Sequence, residues 1–270
     1  MAKTASGMSA YRAQKAGKGS SGGTRTVAES LTRLQNIGNG VELSPGSREA
    51  AEKLGAQYVG DIADVIEEME GKYGVFSTAT GSVSTTTVVF GEPEPGRGKP
   101  RINFEKMAST TNASMSYYPG SRLTRLNVKA NTDYETFNKG KADSMASGWS
   151  APWDTKKRSG LQATMVHEYG HAYGNMLAYN HNANTGKRMT AFYKNSQKAI
   201  LKIASEKYGA GIESASGYAR TKPQQFFAEA FANANNGAPN AIGNAFNDWV
   251  ATKIVDGKVK GQTTYKVKSY

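Results

Sequence analysis

Apolar residues at three- and four-residue spacings predict helix between residues 47 and 73. Such spacing places the apolar side chains on one helical face, where they can be buried together. Gly71, near the end of the segment, favours termination of the helix. The apolar residues with this spacing are Leu54, Tyr58, Ile62, Val65, Ile66 and Met69.

A second helix is predicted from Ser159 to about Tyr179, because Ser159 and Gln162 have the spacing of a capping box. In a capping box, two polar side chains three residues apart satisfy backbone N–H groups that lack a partner within the helix. Further helices are predicted over residues 188–208, 222–234 and 240–254.

Short runs rich in β-branched and aromatic residues predict strands between these helical regions. The candidates are residues 82–90 (SVSTTTVVF), 101–104 and 123–128 (LTRLNV), separated by segments that contain Gly and Pro. The C-terminal residues alternate in the same way, and Asp256 followed by Gly257 is a hairpin signal. The chain is therefore expected to contain both helices and strands.

Charge divides the chain into three regions. The protein has 34 Lys and Arg against 22 Asp and Glu, a net charge of +12, and residues 1–35 carry six basic residues against one acid. We therefore predict a flexible basic arm over residues 1–45, a domain over residues 46–254 and a basic β-ribbon tail over residues 255–270. The basic ends are either solvated arms or sites of nonspecific nucleic acid contact.

Composition also excludes several classes of site. The chain has no cysteine, so disulfides and thiolate ligands are absent. No apolar run approaches the roughly 18 residues of a membrane span. The first residues are basic but lack the apolar stretch of a signal peptide, so neither export nor membrane partners are expected.

Two of the three histidines lie in the segment HEYGH, residues 167–171. On a helix, His167 and His171 share one face one turn apart, so both imidazoles can bind one ion. Glu168 lies beside them and can take a proton from a water whose pKa zinc lowers towards about 7. This is the His-Glu-x-x-His pattern of zinc peptidases, so we expect Zn²⁺ with Glu168 as the general base.

A catalytic zinc also needs a third protein ligand. Leu177 stands where the metzincin pattern has a histidine, so that pattern fails. Glu229, the single acid in the apolar segment FFAEAFA, is a candidate because a buried carboxylate is costly unless it is paired or binds a metal. The alternatives are His181 as the ligand, or Glu229 on a solvent-facing side of its helix. Asn233 is a candidate for a hydrogen bond to a histidine ligand.

Three segments together resemble the anthrax lethal factor-like branch of the zincins, which also occurs in bacteriophage minor head proteins and bacterial toxins. Gly148 and Trp149 resemble that branch as well, whereas Tyr169 stands where an aliphatic residue is usual. The similarity covers roughly residues 60–240. The three segments are HEYGH at 167–171, SGYA at 216–219 and QFFAEAF at 225–231.

The resemblance implies a zincin-like α+β fold, with a small mixed sheet packed on the HExxH helix and further helices after it. It implies that residues 123–128 form an edge strand, which can bind an extended peptide by adding it to the sheet. It also implies Glu229 as the third ligand. Tyr218 would donate its hydroxyl to the developing oxyanion, and the alternative is a packed aromatic ring.

These expectations describe a zinc metallopeptidase, an endopeptidase rather than an exopeptidase, that hydrolyses a peptide or protein substrate through a metal-activated water. The resemblance implies a phage-encoded, virion-associated protein, located in the virion or the host cytoplasm, with virion proteins as partners. Two alternatives remain open. One is a structural virion component with little activity, and the other is a nucleic-acid-associated basic protein.

Overall fold

A computed structural model describes ten segments of the chain. In the strands β2, β3, β4 and β6, and at residues 42 and 255, it describes the backbone alone. The described segments are residues 25–37, 42–43, 46–74, 101–105, 115–118, 123–127, 134–181, 183, 186–255 and 258–260. The strand predicted over residues 82–90 lies outside them.

Helices form most of the described chain, and a short 3₁₀ turn, Ile212–Ser214, lies between α6 and α7. The α-helices are α1 (Val27–Gln35), α2 (Ser47–Leu54), α3 (Ala56–Tyr73), α4 (Tyr134–Ala146), α5 (Gly160–Asn180), α6 (Gly186–Tyr208), α7 (Pro223–Asn235) and α8 (Ala241–Lys253).

Local sequence signals account for several helix ends. The capping box predicted at the start of α5 is confirmed, because Ser159 Oγ accepts from the Gln162 amide and the Gln162 side chain accepts from the Ser159 amide. Pro223 occupies the first position of α7, where its missing N–H costs nothing. The helix predicted over residues 47–73 is divided into α2 and α3 at Gly55, whose φ of 87° interrupts the helical backbone.

Helix α5 lies at the centre of the core. It packs against α3, α4, α6 and α7, and α8 packs against α6 and α7. Of its 21 residues, 18 are buried, so α5 is enclosed on nearly all sides rather than amphipathic. The largest fully buried side chains come from the other helices: Leu31, Leu34, Tyr58, Ile62, Phe192, Tyr193, Phe226, Phe227, Phe231, Phe246 and Trp249.

Two glycines let α5 and its neighbours approach closely. A Cβ on Gly170 would lie 3.0 Å from Phe231 Cβ. A Cβ on Gly174 would lie 2.8 Å from Tyr193 Oη and 2.9 Å from Phe227 Cδ1. Larger residues at these positions would have to displace buried rings, which is costly in a packed interior.

The expectation of an α+β zincin-like fold, with a small mixed sheet packed on the HExxH helix, is wrong. Helix accounts for 75% of the residues whose side chains the structure describes. None of the buried apolar side chains among them lies in a strand. From the strands, the described side chains are Leu43 and Ile254, and both contact the core while partly exposed. Helix-to-helix packing therefore forms the described core.

The described strands form short backbone ladders. They are β1 (Glu42–Leu43), β2 (Arg101–Glu105), β3 (Met115–Tyr118), β4 (Leu123–Asn127), β5 (Ile254–Val255) and β6 (Lys258–Val259). The first four are ordered β1-β2-β4-β3, with β3 antiparallel to β4 and the other pairs parallel, and β5 pairs antiparallel with β6. The prediction that residues 123–128 form an edge strand is wrong, because β4 is hydrogen-bonded on both sides.

Helix α1 lies inside the region assigned to the basic arm, residues 1–45. Leu31 and Leu34 are fully buried, and Thr26 forms a capping box with Glu29. The guanidinium groups of Arg25 and Arg33 both contact Asp64 on α3, at 2.7 and 2.8 Å. The structure therefore moves the start of the helical body to residue 25. This short amphipathic helix was not predicted, because the basic charge of the whole segment indicated a flexible arm.

None of the helices in the described part of the chain is long and apolar enough to cross a membrane.

Candidate metal centre

The start of α5 is held by a buried carboxylate on α3. Asp61 accepts hydrogen bonds from Ser159 Oγ at 2.6 Å, Gln162 Nε2 at 3.2 Å and Tyr134 Oη at 2.7 Å. Burial raises the pKa of Asp61, and these donors partly oppose the rise. The capping residues of the helix that carries HEYGH are thereby connected to both α3 and α4.

The two histidines of the motif share one side of α5, where His167 is buried and His171 is partly buried. Their ring centroids are 4.9 Å apart, with the planes nearly perpendicular at 83°. His167 Nδ1 lies 2.7 Å from Glu229 Oε1 but has no well-aligned hydrogen bond. His171 Nε2 donates to Gln225 Oε1 at 3.1 Å. Helix α7 therefore contributes one contact to each histidine: Glu229 contacts His167, and Gln225 contacts His171.

Glu229 is buried, with 6% of its surface exposed, so it does not lie on a solvent-facing side of α7. Its Oε2 accepts from the Ala151 amide and from Ser216 Oγ, both at 2.6 Å. Burial would raise its pKa, but the contacts with His167, Ser216 and Ala151 outweigh this and keep the pKa below its usual range. Glu229 is therefore an ionised carboxylate at neutral pH.

The two imidazoles have opposite pKa shifts. Burial tends to lower the pKa of His167, but the adjacent Glu229 carboxylate outweighs it and raises that pKa. Burial, reinforced by the nearby His167, lowers the pKa of His171 to about 3. His171 is therefore neutral, the form in which histidine binds metals.

Tyr218 and Trp149 lie against this centre. The ring of Tyr218 stacks on His167, with centroids 5.7 Å apart and planes 26° apart. The amides of Gly217 and Tyr218 donate to the carbonyls of Gly148 and Trp149 at 2.8 and 2.9 Å, which joins the two loops. Burial raises the pKa of Tyr218, and the charges of Glu168 and Glu229 add to the effect. Its hydroxyl therefore keeps its proton at neutral pH.

Glu168 is also buried, with 8% of its surface exposed. Lys141, on α4, is partly buried, with Nζ 5.6 Å from the centre of the Phe137 ring. Burial lowers the pKa of Lys141, while attraction to Glu168 and Glu229 acts in the opposite direction. A cation therefore lies on the α4 side of the two acids.

The neighbouring Tyr169 points away from the centre. Its hydroxyl donates to Glu70 Oε2 on α3 at 2.7 Å, in a buried position. This contact explains why an aromatic residue with a hydroxyl suits position 169.

Two predicted candidates lie elsewhere. His181 ends α5, ten residues and so about 15 Å along the axis from His171, and its ring is near Phe192. Asn233 does not contact a histidine: its Nδ2 donates to the carbonyls of Pro152 and Ala238, and its Oδ1 accepts from the Asn240 amide. The prediction for Asn233 is wrong, because the α4–α5 loop and the α7–α8 loop occupy its amide group.

Sequence reasoning missed several residues of the centre. Ser216 and Gln225 stood in the segments that carry the family resemblance, but nothing in their spacing assigned them a contact. Lys141 had no signal, because α4 itself was not predicted. The Ala151 amide is a backbone group that any residue could provide. These contacts depend on how distant segments pack.

Within the described ranges, no group of three or more His, Asp and Glu side chains is arranged so that it could hold a metal ion. Instead, His167 Nδ1 faces Glu229 Oε1, and His171 Nε2 is hydrogen-bonded to Gln225 Oε1. Comparisons with protein families, curated proteins and solved structures find no match to this chain.

Proposed function

We propose that this protein is a zinc-dependent peptidase, with His167, His171 and Glu229 as metal ligands. One observation carries the proposal. Glu229, on a separate helix, places a buried ionised carboxylate 2.7 Å from His167 of the HEYGH motif. A carboxylate is costly to bury without a specific partner, so this arrangement is unlike ordinary packing between helices.

The donor atoms suit zinc in their chemistry. Two imidazoles and one carboxylate form one of the ligand sets of catalytic zinc sites. His167 Nδ1 is buried without a well-aligned hydrogen bond, and His171 is neutral. To bind the ion, the side chains would exchange their present contacts with one another and with Gln225 for the metal. When bound, zinc would supply Lewis acidity to the reaction.

Glu168 would act as the general base. Its carboxylate would take a proton from the attacking water and pass it to the leaving amine as the peptide bond breaks. The low exposure of Glu168 limits competition from bulk solvent, and Lys141 on α4 attracts its ionised form.

Tyr218 would donate a hydrogen bond to the oxyanion that develops on the substrate carbonyl. Its hydroxyl keeps its proton because burial raises its pKa. Stacking on His167 and the backbone pairing with residues 148–149 hold the ring beside the motif. A donor that is already oriented stabilises the transition state without reorganisation during the reaction.

Elemental analysis of the purified full-length protein tests the metal site. We expect about one zinc per chain in the wild type and loss of most of it in His167→Ala, His171→Ala and Glu229→Ala. His181→Ala is the matched control, because it removes the buried histidine that directly follows the same helix and should keep zinc. Circular dichroism would verify that each variant folds. Full zinc in Glu229→Ala would contradict the ligand set.

A further inference from the structure

Trp149 differs from the other two tryptophans of the chain. Its side chain is 52% exposed, whereas Trp153 and Trp249 are 6% and 0% exposed. Single exposed apolar residues are common on protein surfaces and need no explanation. The position of Trp149 and the way it is held are therefore what distinguish it.

The exposed ring is held in place by its backbone and by Gly217. The Trp149 carbonyl accepts from the Tyr218 amide, and the preceding carbonyl of Gly148 accepts from Gly217. A Cβ on Gly217 would lie 2.7 Å from Trp149 Cε3, so the ring packs directly on the backbone of residue 217. Gly217 thus allows a close contact that another residue would block.

Three rings lead from the surface to the motif. The Trp149 and Tyr218 centroids are 5.8 Å apart, and the Tyr218 and His167 centroids are 5.7 Å apart. These separations are within the range in which aromatic rings attract one another. The exposed end of this row is Trp149, and the other end is a proposed metal ligand.

We propose that Trp149 is a specificity-determining residue that binds a large apolar or aromatic side chain of a peptide substrate, next to the bond that is cleaved. The inference rests on the proposed peptidase function. A substrate carbonyl that accepts from Tyr218 places the adjacent substrate residue near the Trp149 ring. An oriented, exposed indole buries much apolar surface on contact and loses little side-chain freedom.

Cleavage of a peptide series that differs at one residue beside the scissile bond tests this role. The residues compared are Phe, Leu, Ala and Asp. Trp149→Ala should lower kcat/KM about 10- to 100-fold for the Phe and Leu peptides and little for the Ala peptide, because only large side chains reach the ring. Trp149→Phe should retain most of the preference. Ile212→Ala, which removes another exposed apolar side chain, should behave as wild type.

A binding measurement separates this inference from the proposed reaction. In Glu168→Gln, iodide should quench mainly Trp149, since the other tryptophans are buried. The Phe peptide, with both ends chemically blocked, should protect the Trp149 fluorescence from iodide, and the Asp peptide should not. This expectation holds whether or not the wild type hydrolyses either peptide. Absence of hydrolysis with selective protection would count against the peptidase and leave the Trp149 subsite standing.

Three results would overturn the assignment of Trp149. The first is an equal loss of kcat/KM for all four peptides in Trp149→Ala, which would indicate a general effect on Tyr218. The second is no protection by the Phe peptide. The third is shielding from iodide without peptide that disappears on dilution, which would show that a second copy of the chain covers the ring.

Discussion

Gln225 contacts two residues of the proposed centre from one position on α7. Its Oε1 accepts from His171, and its side chain lies near Tyr218, where it partly opposes the rise in the pKa of that hydroxyl. Because Gln225 lies one turn before Glu229, the same helical face provides the carboxylate and the amide. The orientation of α7 therefore determines the positions of both groups relative to α5.

Glu168→Gln should keep the metal and abolish hydrolysis. The amide has the shape of the carboxylate but cannot accept a proton, so the attacking water is not activated. Zinc content and peptide cleavage would be measured on the same preparation. Glu213→Gln changes an exposed acid and provides the control. Cleavage at the wild-type rate in Glu168→Gln would exclude Glu168 as the base.

Tyr218→Phe should keep zinc and the fold but lower turnover by roughly 10²–10³-fold, the usual effect of removing one oxyanion donor. The ring remains, so its stacking on His167 is preserved. Steady-state kinetics should show the loss in kcat rather than in KM, because the hydroxyl acts in the transition state. An unchanged kcat would make Tyr218 a packing residue.

Hydrogen bonds from two tyrosine hydroxyls join α5 to α3 and α3 to α7, and the two bonds differ in strength. Tyr169 donates to the Glu70 carboxylate at 2.7 Å, and Tyr73 donates to the Asn235 side-chain oxygen at 3.0 Å. Hydrogen bonds to charged groups contribute about 1.5–3 kcal/mol, and neutral ones about 0.5–1.5 kcal/mol. Each helix contact thus makes a separable contribution to the free energy of unfolding.

Tyr169→Phe should therefore destabilise the protein more than Tyr73→Phe. Both substitutions remove one hydroxyl and keep the ring, so each variant is the control for the other. Urea unfolding of the two variants and the wild type would give the differences in free energy. Equal losses, or a larger loss in Tyr73→Phe, would contradict the assignment of a charged acceptor to Tyr169.

The capping carboxylate at the start of α5 should give stability a pH dependence. Burial raises the pKa of Asp61 above its usual 3.8. Between pH 3.8 and the raised pKa, the folded chain therefore holds a proton that the unfolded chain has lost. The contribution of Asp61 is then largest below pH 3.8 and declines as pH rises through the raised pKa. The difference in free energy of unfolding between wild type and Asp61→Asn should fall over that range. If this difference in free energy instead rose with pH, folding would lower the pKa of Asp61 rather than raise it.

Local signals made some elements predictable and left others hidden. The starts of α5 and α7 depend on Ser159 and Pro223. These residues act within one turn, so the local sequence was sufficient to predict where each helix begins. Helix α4 was missed because Phe137 is its one buried residue, which leaves no apolar stripe. At the site, the HEYGH spacing predicted His167 and His171 on one side of one helix, and the composition around Glu229 indicated its burial. Its partners Ser216 and Ala151 come from distant loops, which no local pattern specifies.

At the scale of the whole molecule, the boundary of the helical body determines where the chain can be shortened. Removal of residues 1–23 eliminates four Lys and Arg and no acid, and it leaves the Thr26 capping box intact. We expect zinc content and cleavage to be unchanged. Binding to duplex DNA should weaken, most strongly at low salt, because fewer phosphates are neutralised.

Removal of residues 1–36 is the matched comparison. It also eliminates Leu31 and Leu34, which are fully buried. Truncating one buried leucine costs about 2–5 kcal/mol, which is a large part of the stability of a typical domain. The longer deletion should therefore lower the thermal midpoint sharply, whereas the shorter one should not. For the shorter deletion, equal DNA affinity of the full-length protein and of residues 24–270 at two salt concentrations would show that residues 1–23 do not contribute to DNA binding.

The close approach of α5 and α7 at Gly170 has a consequence for the recognition of relatives. The third and fourth positions of His-Glu-x-x-His are usually treated as free in a search pattern. Here Tyr169 is bonded to Glu70, and Gly170 has no space for a Cβ beside Phe231. Positions 170 and 231 should therefore covary, a larger residue at one accompanying a smaller residue at the other. A search that joins the motif to position 231 would separate homologues of this chain from zincins that share the two histidines alone.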